Sequence, residues 1–294
     1  MWTSPDLTGQ VAVVAGATRG AGRGIATELG AGGATVYVTG RTTRDARSDM
    51  DRSETIEETA ELVTAAGGRG VAVRVDHSVA AEVEALFQRV AAEQDGRLDV
   101  LINDVWGGDP LTEWGTPFWE LDVAKASRLV NQAVLTHVIT SRYGVPLLVA
   151  RRSGLVVEVT DGDQPSYRGN LPYDLAKSSV IRLAFGMGDE LKPHGVTAVA
   201  VTPGFLRSEA MLDHFGVTAE TWRDATKEDP HFIASETPRF VGRAIASLAG
   251  DPTVLSKSGS VLSSWALSDE YGFDDADGAR PHWGRYFAEH VAVS

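Results

Sequence analysis

Short runs of Val, Ile, Leu and Ala recur along the chain at 11–15, 35–39, 71–75, 100–102, 155–159, 197–201 and 260–262. Most are continuous rather than alternating, the pattern of parallel strands buried on both faces. Between them apolar residues return every three or four positions. Val79, Val83, Leu86, Phe87 and Val90, for example, share one helical face. Strand–helix alternation sustained from end to end predicts an α/β fold: a doubly wound parallel sheet in three layers, α/β/α, with right-handed crossovers. No internal repeat or low-complexity linker divides it, so residues 1–294 read as a single domain.

Two segments break the alternation. Residues 205–236 are rich in Phe, Trp, His and charge, and Thr237-Pro238 then restarts a helix as N-cap and first helical residue. An insertion of that length between a strand and a helix is expected to be a substrate lid. The second is a C-terminal extension, 265–294, whose acidic run Asp274, Asp275, Asp277 lacks calcium-loop spacing and reads as a solvated turn. The sequence leaves open whether this tail covers the site or extends an interface.

Composition narrows the function classes. The 294 residues carry a net charge of −13, which disfavours nucleic acid and anionic membrane surfaces as partners. With no cysteine there is no disulfide framework, Cys-ligated zinc or thiolate nucleophile, and no metal site is expected. The first ten residues lack a signal-peptide pattern. The long apolar stretch 129–150 is interrupted by Asn131, Gln132, His137, Ser141 and Arg142 and reads as a buried helix. A cytoplasmic enzyme is the expectation.

The chemistry begins after the first strand, at Gly16-Ala17-Thr18-Arg19-Gly20-Ala21-Gly22. A Gly-rich turn between a buried strand and a helix lets backbone approach a pyrophosphate, which the helix N-terminus attracts. This makes the fold Rossmann-type and the ligand a dinucleotide. The second strand ends in Gly40-Arg41 where an NAD-binding chain would place an acid. Arg41 with Arg19 suits a 2′-phosphate, so NADP(H) is favoured over NAD(H). Tyr173 and Lys177 lie four apart, on one helical face. A nearby ammonium lowers a tyrosine's pKa and makes it an acid/base for hydride-transfer chemistry.

The G-x-x-x-G-x-G spacing, with Asp76, Asn103-Asp104-Val105-Trp106, Asn131, Tyr173-x-x-x-Lys177 and Pro203-Gly204 in that order, resembles the short-chain dehydrogenase/reductase (SDR) family over nearly the whole chain. The resemblance implies a carbonyl/alcohol oxidoreductase. In it, Gly16, Thr18, Arg19, Gly20, Ala21, Gly22, Arg41, Asp76, Asn103, Pro203 and Gly204 join Tyr173 and Lys177 in holding the cofactor. Lys177 holds the nicotinamide ribose, and Asn131 binds a water leading to the lysine. The resemblance also implies a homodimer or homotetramer formed through the helices carrying Asn131 and Tyr173.

One position departs from the pattern. A serine normally ends the fifth strand and holds the substrate carbonyl. Strand alignment puts Asp161 there, while the family's usual spacing back from Tyr173 gives Thr160. An ionised carboxylate cannot donate to a carbonyl and opposes ionisation of the tyrosine. Trp106, Trp114, Phe118, Trp119, Phe205, Met211, Leu212, Phe215 and Trp222 either wall a pocket for a bulky apolar substrate or pack the lid and an interface. The alternative function is a nicotinamide-binding sensor or interaction protein with little turnover.

Overall fold

The computed structural model describes residues 2–291. Its sheet is built from β1 (Val11–Ala15), β2 (Thr35–Gly40), β3 (Arg69–Arg74), β4 (Val100–Asn103), β5 (Gly154–Val159), β6 (Val196–Thr202) and β7 (Val261–Ser263). All pairings are parallel, in the order β3-β2-β1-β4-β5-β6-β7. The seven expected strands are present, with ends moved by one or two residues. The order reverses between β1 and β4, so the loops leaving those strands part there and open a crevice at the carboxyl edge.

Period-two alternation sends successive residues to opposite layers. Ala12, Val14, Ile102 and Val157 enter one core, against α1 (Gly20–Ala31), α2 (Ile56–Ala65) and residues further along the chain. Val11, Val13, Leu101 and Val156 enter the other. There they meet Val83, Leu86, Phe87 and Val90 of α3 (Ala80–Glu93), the helix read from their spacing; Val79 is its exposed N-cap.

The next helical run passes from α4 (Val123–Val130) through one π turn, Asn131–Leu135, into α5 (Thr136–Arg151). By length and composition it could cross a membrane. Here it packs on β4, β5 and α3, with Thr136, His137, Thr140 and Ser141 buried, as expected of a core helix. After β5 comes α6 (Leu171–Leu191), started by Asn170, whose side chain accepts from the Tyr173 amide.

Residues 205–236 form α7 (Glu209–His214) and two 3-10 turns, Trp222–Lys227 and Pro230–Ala234. Phe205, Met211, Leu212 and Phe215 gather on buried Trp222 and Phe232. The insertion is therefore a small packed body of its own, and its aromatics serve mainly as its core. Thr237 caps α8 (Pro238–Gly250) as the sequence indicates. The tail adds α9 (Ser264–Tyr271) and α10 (Trp283–His290). It packs on the start of the insertion: Trp283 stands edge-on to Phe205, 5.7 Å between centroids.

The acidic run is not a solvated turn throughout. Asp274 is exposed and pairs with Arg280, but Asp275 is buried. Its carboxylate accepts from the Thr237 amide at 2.8 Å and hydroxyl at 2.5 Å, and lies 3.4 Å from the buried Arg207 guanidinium. Arg207 also reaches Asp277 at 2.8 Å and stacks over Trp222 at 4.0 Å. Burying a guanidinium requires such partners, and they clamp both ends of the insertion to the tail.

Candidate active site

The glycine turn follows β1 because Gly16 (φ +87°) must turn in the left-handed region against the β4 loop. A Cβ there would lie 2.3 Å from the Asp104 carbonyl oxygen. Gly20, also left-handed at +56°, opens α1 with its first amides unpaired within the helix. Two carboxylates use those amides. Glu209 of α7 accepts from the Gly20 N–H at 2.8 Å, and Asp104 accepts from that of Gly22. A turn that gathers acids in this way is an anion cradle, and the residues present fit a pyrophosphate.

From this turn a cleft of about 290 Å³ runs along the crevice. Gly16, Thr18, Arg19, Gly20, Ala21, Arg41, Asp76, Thr160, Lys177 and Pro203 line it, all expected from the sequence. Gly22 and Gly204 lie just behind: a Cβ on Gly22 would strike the Gly16 carbonyl, and one on Gly204 would strike Trp283. Arg41 pairs with Asp49 at 2.6 Å and approaches Asp76 at 4.0 Å, beside Thr42 and Ser48.

Two expected residues lie elsewhere. Asn103 has the parity of Leu101, so its side chain faces α5 rather than the cleft. There its carboxamide donates to Glu158 (2.6 Å) and Ser141 (2.9 Å). Asn131 is exposed at the end of α4. The π turn adds a residue to the helical path, and Gln132 and Thr136 line the cleft instead. The Gln132 Oε1 is buried without a partner.

The structure adds residues that spacing did not single out. Glu158 and His137, both buried, meet at 2.5 Å, and the His137 Nε2 lies 3.1 Å from the Val105 carbonyl. With Asn103 they form a polar support beneath the β4 loop. A glutamate inside the apolar run 155–159 was the available signal. His77 sits between Thr39 and Thr140, 2.8 Å from each, and burial pushes its pKa down to about 3. It lines the cleft as a neutral group.

At the far end of the cleft, α6 presents Lys177, with Tyr173 one turn before it on the same face of the helix. The Tyr173 hydroxyl donates to Asp161 Oδ2 at 2.8 Å. Burial and then the Asp161 charge raise the tyrosine's pKa. Thr160, by contrast, donates its hydroxyl to the Lys177 carbonyl at 2.8 Å. The acid, not the threonine, therefore touches the tyrosine. Lys177 is half-buried, with its Nζ 4.2 Å over the Trp106 ring, and desolvation lowers its pKa against the pull of Asp161, Asp104 and Asp109. Tyr173 and Asp161 are not among the residues lining the cavity. Trp106, which lines it, packs edge-on to Tyr173 with Trp114 alongside. Trp114, Phe118 and Trp119 are exposed.

The model of the short chain dehydrogenase family matches residues 10–215. The chain is 38% identical to mouse Dehydrogenase/reductase SDR family member 1 over 92% of this chain and 85% of that protein. It belongs to the short-chain dehydrogenase/reductase family. The human protein of the same name is 36% identical at the same coverage. Among solved SDR structures, a short chain dehydrogenase from Mycobacterium thermoresistibile superposes with a TM-score of 0.77 at 20% identity, covering 95% of this chain and 92% of that one. A metagenomic short-chain oxidoreductase in complex with NADP gives 0.64 at 23%, covering 87% and 96%. These two likenesses are of fold. As a member of this family the protein is an oxidoreductase of the nicotinamide-dependent type.

Proposed function

We propose that this SDR is an NADP(H)-dependent oxidoreductase interconverting a carbonyl and an alcohol, with Tyr173 as the acid/base. The observation that carries the reading is Lys177 lining a cleft that begins in an anion-binding glycine turn, with Tyr173 one turn before it on the same face of α6, behind Trp106. The glycine-turn amides would hold the pyrophosphate, Arg19 and Arg41 a 2′-phosphate, Asp76 the adenine side, and Lys177 the nicotinamide ribose. The bound dihydronicotinamide supplies the hydride. Tyr173 moves the proton at the substrate oxygen, and Lys177 favours its ionised form against Asp161.

The preference for NADP(H) rests on Arg41 and Arg19 lining the cleft beside Thr42 and Ser48. Arg41→Ala is expected to cut the NADPH/NADH ratio of kcat/KM by about 10- to 100-fold, the worth of one charge-assisted phosphate contact. An unchanged ratio sinks the cofactor assignment. Exposed Leu135, Val138 and Phe185 on the helical faces around α5 and α6 support a homodimer or homotetramer, which light scattering would read.

A second reading, a nicotinamide sensor with little turnover, is favoured by the Tyr173 proton being held by Asp161 and by Trp106 standing against the tyrosine. Absorbance at 340 nm across carbonyls with NADPH and alcohols with NADP⁺ separates the two. Turnover lost in Tyr173→Phe supports the oxidoreductase. Tight cofactor binding without turnover on any substrate supports the sensor.

A further inference from the structure

Three carboxylates, Asp161, Asp104 and Asp109, act on Lys177, the cation of this site. Arg168 is the other cation near Tyr173, and its guanidinium lies over Gly162 without an ion pair to Asp161. Asp109 is held by the Trp106 indole N–H at 2.6 Å, so its charge stays at the aromatic wall. Trp106 and Trp114 pack around the Tyr173 ring, and Trp114 is itself open to solvent. Acidic groups set among aromatic faces favour a cation.

A neutral ketone is poorly served here. Its oxygen needs a donor, yet the Tyr173 proton is committed to Asp161, and the carboxylate can only accept. A positively charged nitrogen resolves the conflict. It would take over the Asp161 carboxylate and release the Tyr173 hydroxyl to face the substrate oxygen. The separation between the tyrosine oxygen and Asp161 Oδ2 is 2.8 Å, a hydrogen-bond distance, and it is matched by an oxygen and a nitrogen carried on adjacent carbons.

We propose that the substrate is a vicinal amino alcohol or its α-amino ketone, with the protonated nitrogen held by Asp161 and the oxygen facing Tyr173. This rests on the oxidoreductase reading, in which Tyr173 is the acid/base. In the oxidation Tyr173, having first given its hydroxyl proton to solvent, takes the carbinol O–H proton as phenolate, the carbinol C–H would leave as hydride to NADP⁺, and a C=O forms beside the unchanged ammonium. Reduction is the reverse. The nitrogen is neither oxidised nor lost.

The test compares 2-amino-1-phenylethanol, its N-acetyl derivative and 1-phenylethanol at pH 7, where only the first is charged. Each is titrated into the protein by tryptophan fluorescence, and each is assayed with NADP⁺. Wild type is expected to favour the amine over both neutral compounds by about 10- to 100-fold in Kd and in kcat/KM, one charge-assisted hydrogen bond. Asp161→Ser is expected to abolish that preference and raise turnover of the neutral alcohol. An amine bound no tighter than its acetyl derivative by wild type overturns the proposal, with no variant needed. So does a preference that survives Asp161→Ser. Full turnover in Tyr173→Phe would overturn the acid/base reading instead, while the binding preference still decides the role of Asp161.

Discussion

At the scale of single residues, the site is a contest between charges. Burial and Asp161 pull Tyr173 away from ionisation and Arg168 pulls it toward ionisation, while the Lys177 ammonium lies 5.6 Å from its ring. Tyr173→Phe is therefore expected to lower kcat/KM by about 10²- to 10⁴-fold while leaving the cofactor Kd within a few-fold, read by NADPH fluorescence. Asp104 is held up at about 7 by desolvation, against Lys177 and the Gly22 amide. Between its ordinary range and about 7 the folded protein keeps a proton that the unfolded chain has lost. Stability thus falls as pH rises through that window and levels off above it. Asp104→Asn is expected to match wild type in Tm near pH 4 and exceed it at pH 8. Its cofactor Kd should lose the weakening that wild type shows as this acid ionises beside the anion cradle. The glycine turn and the Tyr173–Lys177 pair were legible because local spacing alone brings them together. Asn131 misled because one π turn, which no spacing rule marks, rotates Gln132 into its place.

Among the elements, the 205–236 insertion shows most clearly what a sequence conceals. Its aromatic richness was plain, but whether Phe215 and Trp222 faced a substrate or each other depended on tertiary packing. They pack on Phe232, which has no exposed surface. Phe232→Ala is expected to destabilise the insertion by about 3–5 kcal/mol, seen as faster proteolytic cutting within 205–236 with little change in far-UV circular dichroism. Asp275 read as solvent-facing because its partners, Arg207 and Thr237, lie 68 and 38 positions away. Glu236 closes the same region, accepting from the Gly204 amide and the Ser264 hydroxyl, with its carboxyl raised to about 8 by burial. Stability at this hinge declines with pH from the ordinary glutamate range up to about 8. Cutting within 205–236 should be faster at pH 9 than at pH 6, and Glu236→Gln should flatten the difference. Equal rates in wild type at both pH values would remove Glu236 from this role.

For the molecule as a whole, the sheet was the most legible feature, because strands buried on both faces must be apolar throughout and so announce themselves. The same rule explains the departures. Asn103 and Glu158 are register partners on neighbouring strands, facing the same layer, and a buried carboxylate there is tolerable only with the Asn103 amide beside it and His137 above it. The long connection after β6 could be counted from the sequence, but its grip on the distant glycine turn could not. That grip has a consequence for the order of events in solution. Because Glu209 already sits on the Gly20 amide, an incoming dinucleotide does not fill a bare pole; it evicts a resident. Capture becomes an exchange of one negative charge for another. The speed of docking then tracks how readily the Glu209 carboxylate swings off the Gly20 amide.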